Sequence, residues 1–281
     1  MLSPRSTLLV LCVLNSGCAV FGFLDAWTYP FYADSKTYFY IYMPSCPAAP
    51  YILTNQNASK IKSFPELDLS IPMKIIIHGW TRNASRIVDI RKKYLECGDY
   101  NIVRVDWTAA SDTSNFFLAE YNAYFAGGAV SDFIKILQRE KGLNTDRVTL
   151  LVAGLGANIA HVVGTRVANV SAIVAINPAW SFFGMLSRGD AKYVQVIHTS
   201  LIMGAYAAVG DADFYINKGY WQPGCGTLDP ICDYHYGGKI FYESLCVSNI
   251  TGCREYSKND CGYVMGGVPL HIYKGVFTIN T

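Results

Sequence analysis

Residues 148–158 read Val148-Thr149-Leu150-Leu151-Val152-Ala153-Gly154-Leu155-Gly156-Ala157-Asn158. The apolar run predicts a strand buried on both faces. The strand runs into a loop turn at Ala153-Gly154-Leu155-Gly156. Beyond the turn Ala157, Ala160, Val163 and Val167 recur at helical spacing, which predicts a helix over about 157–168. The same unit repeats outward in both directions. Strand-like runs lie at 74–78, 102–106, 172–176 and 193–197, with helical stretches near 86–97 and 119–140. Alternation of this kind predicts an α/β fold with a mostly parallel central sheet and helices on both faces. In such sheets chemistry sits at the carboxyl ends of the strands, here the loops after residues 78, 106, 153, 176 and 198. No repeat, linker or low-complexity segment interrupts the chain, so one domain is expected over 23–281.

The composition agrees with a packed domain. Of 281 residues 51% are hydrophobic, 14% aromatic and 16% charged, with a formal net charge of +2. Typical domains are about 25% charged, and disorder, collagen and coiled coil are excluded by so many aromatic side chains. No basic run supports a nucleic-acid partner. Met1-Leu-Ser-Pro-Arg-Ser is followed by the apolar run Thr7–Leu14 and small residues at Ser16, Gly17 and Ala19. This reads as a secretory signal peptide over 1–22, cleaved near Ala19 or Gly22. It is shorter than the ~20 apolar residues a membrane span needs, and charges or glycines break every later candidate. Asn-x-Ser/Thr sequons at Asn57, Asn83, Asn169 and Asn249 then fit a secreted, extracellular glycoprotein. Seven cysteines follow the signal, at 46, 97, 225, 232, 246, 253 and 261. Five lie in the last 60 residues, the pattern of a disulfide-stapled C-terminal region with one thiol left over. No histidine stands at ligand spacing beside them and none of the pairs is Cys-x-x-Cys, so no metal is expected. Nothing in the chain calls for a cofactor. Cys253–Cys261 is expected from proximity, and Cys46–Cys97 would tie the N-terminal segment to the first helix.

Several motifs occur in one order: Ile77-His78-Gly79-Trp80-Thr81, then Ala153-Gly154-Leu155-Gly156-Ala157-Asn158, Ile176-Asn177-Pro178-Ala179, Asp213-Phe-Tyr-Ile-Asn-Lys-Gly219 and Gln222-Pro-Gly-Cys225. In order and spacing they resemble the secreted pancreatic-lipase family of α/β-hydrolases, especially insect members and the sn-1 phospholipases. The resemblance covers roughly residues 45–281. Family enzymes carry Gly-His-Ser-Leu-Gly-Ala-His at the nucleophile elbow, and here Gly154 stands for the serine. The family's catalytic aspartate matches Asn177. Its catalytic histidine follows a cysteine by two positions, which from Cys232 is Tyr234. The resemblance therefore implies a triad substituted at all three positions.

Each change removes a separate function. Glycine supplies no nucleophile, and it relaxes the strained elbow. Asparagine cannot stabilise an imidazolium, and tyrosine, with a pKa near 10, is a poor base at neutral pH. His235 is the candidate for a displaced base, but a base without a nucleophile does no acyl transfer by this route. Ser181 reads as an ordinary surface serine, His78 and His198 as structural, and His161 as buried or partner-less in its helix. The resemblance also implies oxyanion-hole backbone donors at Trp80 and Leu155, which do not depend on side-chain identity. It implies a Cys225–Cys232 bridge in place of the family's lid. Only six residues separate these cysteines, too few for a helical lid, and the 177–193 loop is short as well. With Thr281 as the last residue, no C-terminal β-sandwich of the pancreatic-lipase kind is expected. Three functions follow as expectations. The first is a pseudoenzyme binding lipid or another hydrophobic ligand, on lipid surfaces or beside a protein partner. The second is a structural, storage or protein-binding role similar to fly yolk proteins. The third is residual ester hydrolysis in lipid catabolism.

Overall fold

The computed structural model describes residues 36–80, 88–227, 229–246 and 249–281. The expected signal segment 1–22 and the Asn83 sequon lie outside the described residues. Eleven strands form one sheet among them: β1 (Tyr38–Met43), β2 (Cys46–Leu53), β3 (Met73–Ile77), β4 (Asn101–Asp106), β5 (Val148–Ala153), β6 (Ala172–Ile176), β7 (Val194–His198), β8 (Ala212–Ile216), β9 (Thr251–Arg254), β10 (Cys261–Val264) and β11 (Gly275–Ile279). The order across the sheet is β10-β9-β11-β8-β7-β6-β5-β3-β4-β1-β2. From β4 to β11 every neighbouring pair is parallel, and β1, β2, β9 and β10 pair antiparallel at the two edges. Four longer helices cover it: α1 (Val88–Cys97), α2 (Phe116–Lys141), α3 (Gly156–Arg166) and α4 (Pro230–Ser244). This is the α/β-hydrolase arrangement.

The continuous apolar runs of β3, β5, β6 and β7 are explained by two cores, one on each face of the sheet. Alternate side chains such as Ile75, Ile77, Leu150, Val152, Ile173 and Val196 pack with the inner faces of α2 and α3. Their neighbours Ile76, Leu151, Val174 and Ile197 pack on the other face with Tyr94 of α1 and with Ile240 and Phe241 of α4. Helix α2 begins at Asn115, whose side chain accepts from Leu118 N, and stops at Gly142, whose left-handed backbone (φ 68°) closes the last turn.

The sheet also decides the cysteines. Cys225 bridges Cys232 and Cys253 bridges Cys261. Cys97 pairs with Cys246, not with Cys46, which is a free, half-buried thiol. The expected Cys46–Cys97 bridge fails because Cys46 packs into the α2/α3 core while Cys97 lies in the core on the opposite face. Of the sequons, Asn169 and Asn249 are exposed. Asn57 is half-buried, its carbonyl accepting from Thr54 N at 2.8 Å.

One half-buried cation is expensive. Lys74 Nζ in β3 donates to Thr149 Oγ1 at 3.1 Å and lies over the rings of Tyr94 and Tyr100, at 5.7 and 5.1 Å. Burial pulls its pKa down to about 8. The folded chain therefore binds fewer protons than the unfolded one between pH ~8 and ~10.5, and stability rises with pH across that window. Lys74→Met should remove that slope. It should also raise stability by roughly 1–2 kcal/mol at pH 7, the relieved desolvation less the lost cation–π contacts. Denaturant melts of both proteins across that pH range check this.

Candidate functional site

The chain leaves β3 through α1 to β4 on one side and leaves β5 through α3 to β6 on the other. The carboxyl ends of β3 and β5 thus flank the topological switch point, where open α/β sheets place their ligands. His78 and Gly79 follow β3, and Gly154 and Leu155 follow β5. His78 is built into the scaffold. Its Nδ1 donates to Gly79 O at 2.8 Å, and its Nε2 accepts from Trp107 N at 3.3 Å. Burial holds its pKa below the ordinary histidine value, so the neutral ring is favoured. The Trp107 indole in turn donates to His78 O at 2.9 Å. His198 is equally enclosed, its ring nitrogens facing Ala205 O (3.2 Å) and Asp213 Oδ1 (2.9 Å).

Gly154 sits at the elbow with φ +51°, a conformation that glycine adopts without penalty. What fills the space above it is Tyr234, from the first turns of α4. A Cβ placed on Gly154 would collide with the Tyr234 hydroxyl oxygen and lie 3.5 Å from Cζ; one on Gly79 would lie 3.2 Å from the same oxygen. The phenol therefore occupies the volume between the two loops where an elbow side chain would stand. Desolvation there pushes the tyrosine pKa up to about 12, so it stays a neutral phenol at physiological pH. His235 makes an edge contact with the Tyr234 ring, centroids 5.5 Å apart. Successive helical residues diverge by about 100°, so an inward Tyr234 directs His235 elsewhere. Leu155 is buried at the start of α3, and Trp80 is partly exposed with its indole donating to Thr113 O at 2.8 Å.

Asn177 is locked from all sides. Its Nδ2 donates to Thr199 Oγ1 (2.7 Å) and to Tyr234 O (3.0 Å), while Oδ1 accepts from Thr199 N (2.7 Å) and Ser200 N (3.1 Å). Two donors and two acceptors exhaust what the amide uses here. Thr199 Oγ1 passes its own proton to Asp233 O at 2.7 Å. Gly237 lets the helix come this close: a Cβ there would meet Ile176 Cγ2 at 2.6 Å and Asn177 Nδ2 at 3.1 Å. Gln222 completes the net, donating to Thr199 O and Ile216 O, both at 2.9 Å.

Two expectations about neighbouring residues are corrected. Ser181 is buried rather than a surface serine, and its hydroxyl donates to Glu120 of α2. The same Glu120 Oε1 accepts from Phe182 N and Phe183 N. His161 has a partner: its Nδ1 lies 3.0 Å from Asp190 Oδ2, which also accepts from Ser187 N at 2.8 Å. No site role was read from the sequence for Glu120, Thr199, Gln222 or Gly237. For Glu120 the signal was there, because it lies between Ala119 and Ala123 on the apolar face of α2, where a lone acid needs donors.

Two measurements follow. Asn177→Asp removes both amide donors and sets a carboxylate oxygen against Tyr234 O, so it should cost about 1–3 kcal/mol, read as a lower Tm at pH 7. The hydrogen bond that His161 Nδ1 donates to the Asp190 carboxylate raises the pKa of His161. Its stabilisation is therefore fully present below the ordinary histidine value and is lost as pH rises through the raised folded value. His161→Gln should flatten that part of the stability–pH curve.

Residues 30–235 match the family described as Lipase. The chain is 32% identical over 217 residues to a probable phospholipase A1, magnifin, of Vespa magnifica, a match covering 69% of this chain and 64% of that protein. It is 28% identical over 216 residues to a phospholipase A1 of Polybia paulista, covering 69% and 67%. The chain thus spans about two thirds of the length of these relatives. A carboxylesterase structure from Mesorhizobium loti is similar at 15% identity and TM-score 0.38, over 55% of this chain and 74% of that one. With the strand order and the elbow in place, the match over residues 30–235 shows that this chain belongs to the lipase family.

Proposed function

We propose that the protein is a secreted member of the lipase family that binds lipid without hydrolysing it. The observation that carries this reading is the Tyr234 hydroxyl resting against Gly154 in the space of an elbow side chain. In this reading Gly154, Asn177 and Tyr234 stand where nucleophile, acid and base would stand. Gly154 carries no side-chain nucleophile, the Tyr234 hydroxyl beside it stays a neutral phenol, and the Asn177 amide is spent on Thr199, Ser200 and Tyr234. A backbone oxyanion hole at Trp80 and Leu155 would survive such changes, yet loss of nucleophile or base alone costs about 10⁶ in turnover in a serine hydrolase. Three disulfides among the described residues, the N-terminal pattern and the exposed sequons at Asn169 and Asn249 support export and glycosylation. No helix of the described residues is long and apolar enough to cross a membrane. The relatives named as phospholipases favour the competing reading, hydrolysis of a phospholipid ester.

Ester assays on the purified protein separate the two. Short-chain esters and phospholipid should show no turnover above buffer, and delipidated protein should take up fatty acid, lysolipid or phospholipid. Gly154→Ser should melt lower by about 1–3 kcal/mol, from overpacking against Tyr234, and should remain inactive. Gly154→Ser/Asn177→Asp/Tyr234→His should relieve the collision and give measurable hydrolysis. Wild-type turnover abolished by His235→Ala would sink the silent reading in favour of a displaced base.

A further inference from the structure

The exposed rings of Phe117, Trp180 and Phe182 form an aromatic rim by the site that Tyr234 plugs. A second pair of exposed rings lies apart from it, in the loop after β8, three strands from β5 across the sheet. There Lys218, Tyr220, Trp221 and Pro223 meet Asn280 and Thr281, which follow β11, and line an open crevice of about 320 Å³. Tyr220 and Trp221 are 42% and 67% exposed, with ring centroids 6.2 Å apart and planes tilted by 47°. Lys218 Nζ, Trp221 Nε1 and the Asn280 amide have no hydrogen-bond partner among the described residues. The crevice therefore offers two aromatic faces flanked by uncommitted donors.

The backbone beneath them is strained. Asn217, Lys218 and Gly219 are consecutive left-handed residues, with φ 47°, 60° and 77°, and Trp221 follows with φ 49°. Side chains larger than glycine are disfavoured there, and left-handed residues ordinarily occur singly. Only Gly219 is required by packing, since a Cβ on it would meet Leu201 Cγ at 2.5 Å. Lys218 and Trp221 are exposed, so burial does not repay their strain. Such outliers persist where the surroundings over-determine them, and they cluster at ligand sites. Here Asn217 Nδ2 donates to Gln222 Oε1 (3.0 Å) and Thr281 Oγ1 (2.9 Å), and its Oδ1 accepts from Thr281 N (3.0 Å). Gln222 N donates to buried Asp233 at 2.8 Å. The loop is thus held rigid with both rings and the amine outward.

We propose that this crevice is a carbohydrate site that takes adjacent residues of a neutral oligosaccharide, with Trp221 and Tyr220 as stacking platforms and Lys218 and Asn280 as hydroxyl-binding groups. The lining selects among ligands. Lys218 repels a cation, and one lysine is too little charge to hold a polyanionic chain. An acyl chain would strand the donors at 218 and 280 against hydrocarbon. Rings tilted by 47° cannot sandwich a planar base. A sugar residue instead sets its C–H face on an aromatic ring and its hydroxyls on the amine and amide at the edge. Successive sugars turn relative to one another, as the two rings do. Because the loop is already fixed, binding loses little conformational entropy.

Titration of the full protein with maltohexaose, cellohexaose and chitohexaose tests it, followed by tryptophan emission and calorimetry at low and high salt. The three arms separate a storage α-glucan, a structural β-glucan and an N-acetylated chain. Wild type should bind at least one of them equally at both salts. Trp221→Ala should bind that sugar about tenfold more weakly or less. Lys218→Gly should melt higher, because glycine relieves the left-handed strain, and yet bind several-fold more weakly. Trp180→Ala, an exposed indole outside the crevice, should bind like wild type. No binding of any of the three sugars would overturn the site, as would full affinity in the Trp221→Ala protein. Binding confined to a heparin hexasaccharide and lost at high salt would also overturn it, in favour of a charge contact. A Lys218→Gly protein that gains stability and keeps full affinity would remove Lys218 from the site.

Discussion

The contact between one phenol oxygen and two glycine backbones organises the centre of this molecule. Tyr234 reaches the gap between Gly79 and Gly154 only because α4 lies almost on the ends of β6 and β7. That approach requires Gly237, whose missing Cβ makes room for Ile176 and Asn177. The start of the helix is set by Asp229, whose side chain accepts from Cys232 N, by Pro230 in its first turn, and by the Cys225–Cys232 bridge. Asn177 then holds the Tyr234 carbonyl from the sheet side. Each element is ordinary taken singly. Together they give a strand-end crevice that is packed and hydrogen-bonded.

The polarity of the surroundings follows from this. The hydrogen-bonding capacity at the strand ends is turned inward, through Asn177, Thr199, Gln222 and Glu120, toward the loops' own backbone. Loops satisfied in this way leave apolar side chains as what remains to face solvent. The aromatic rim and the closed centre are two results of one arrangement.

The central strands were legible from sequence because burial on both faces leaves no polar alternation to confuse them. The expected runs at 74–78, 102–106, 148–152, 172–176 and 193–197 each fall within about a residue of β3 to β7. The edges were not legible. Strand β2 carries two prolines and a single buried residue, and β9 and β10 are four residues long, so their state depends on the neighbours they pair with. Helix α4 was hidden by the pair Gly237-Gly238, which local propensity reads as a break. Its packing on the sheet reverses that reading.

What the sequence determined by itself was the class of fold, the order of its central strands along the chain, and the glycine at position 154 in the turn after β5. These depend on residue identity and local periodicity. Only the tertiary structure decided which cysteines meet, since Cys46 and Cys97 are separated by the sheet itself. It alone decided that Ser181 is a buried clamp, that His161 has Asp190 as its partner, and that a tyrosine eighty residues downstream lies against the elbow. Such contacts arise from how helices settle on a twisted sheet, and they leave no trace at short range along the chain.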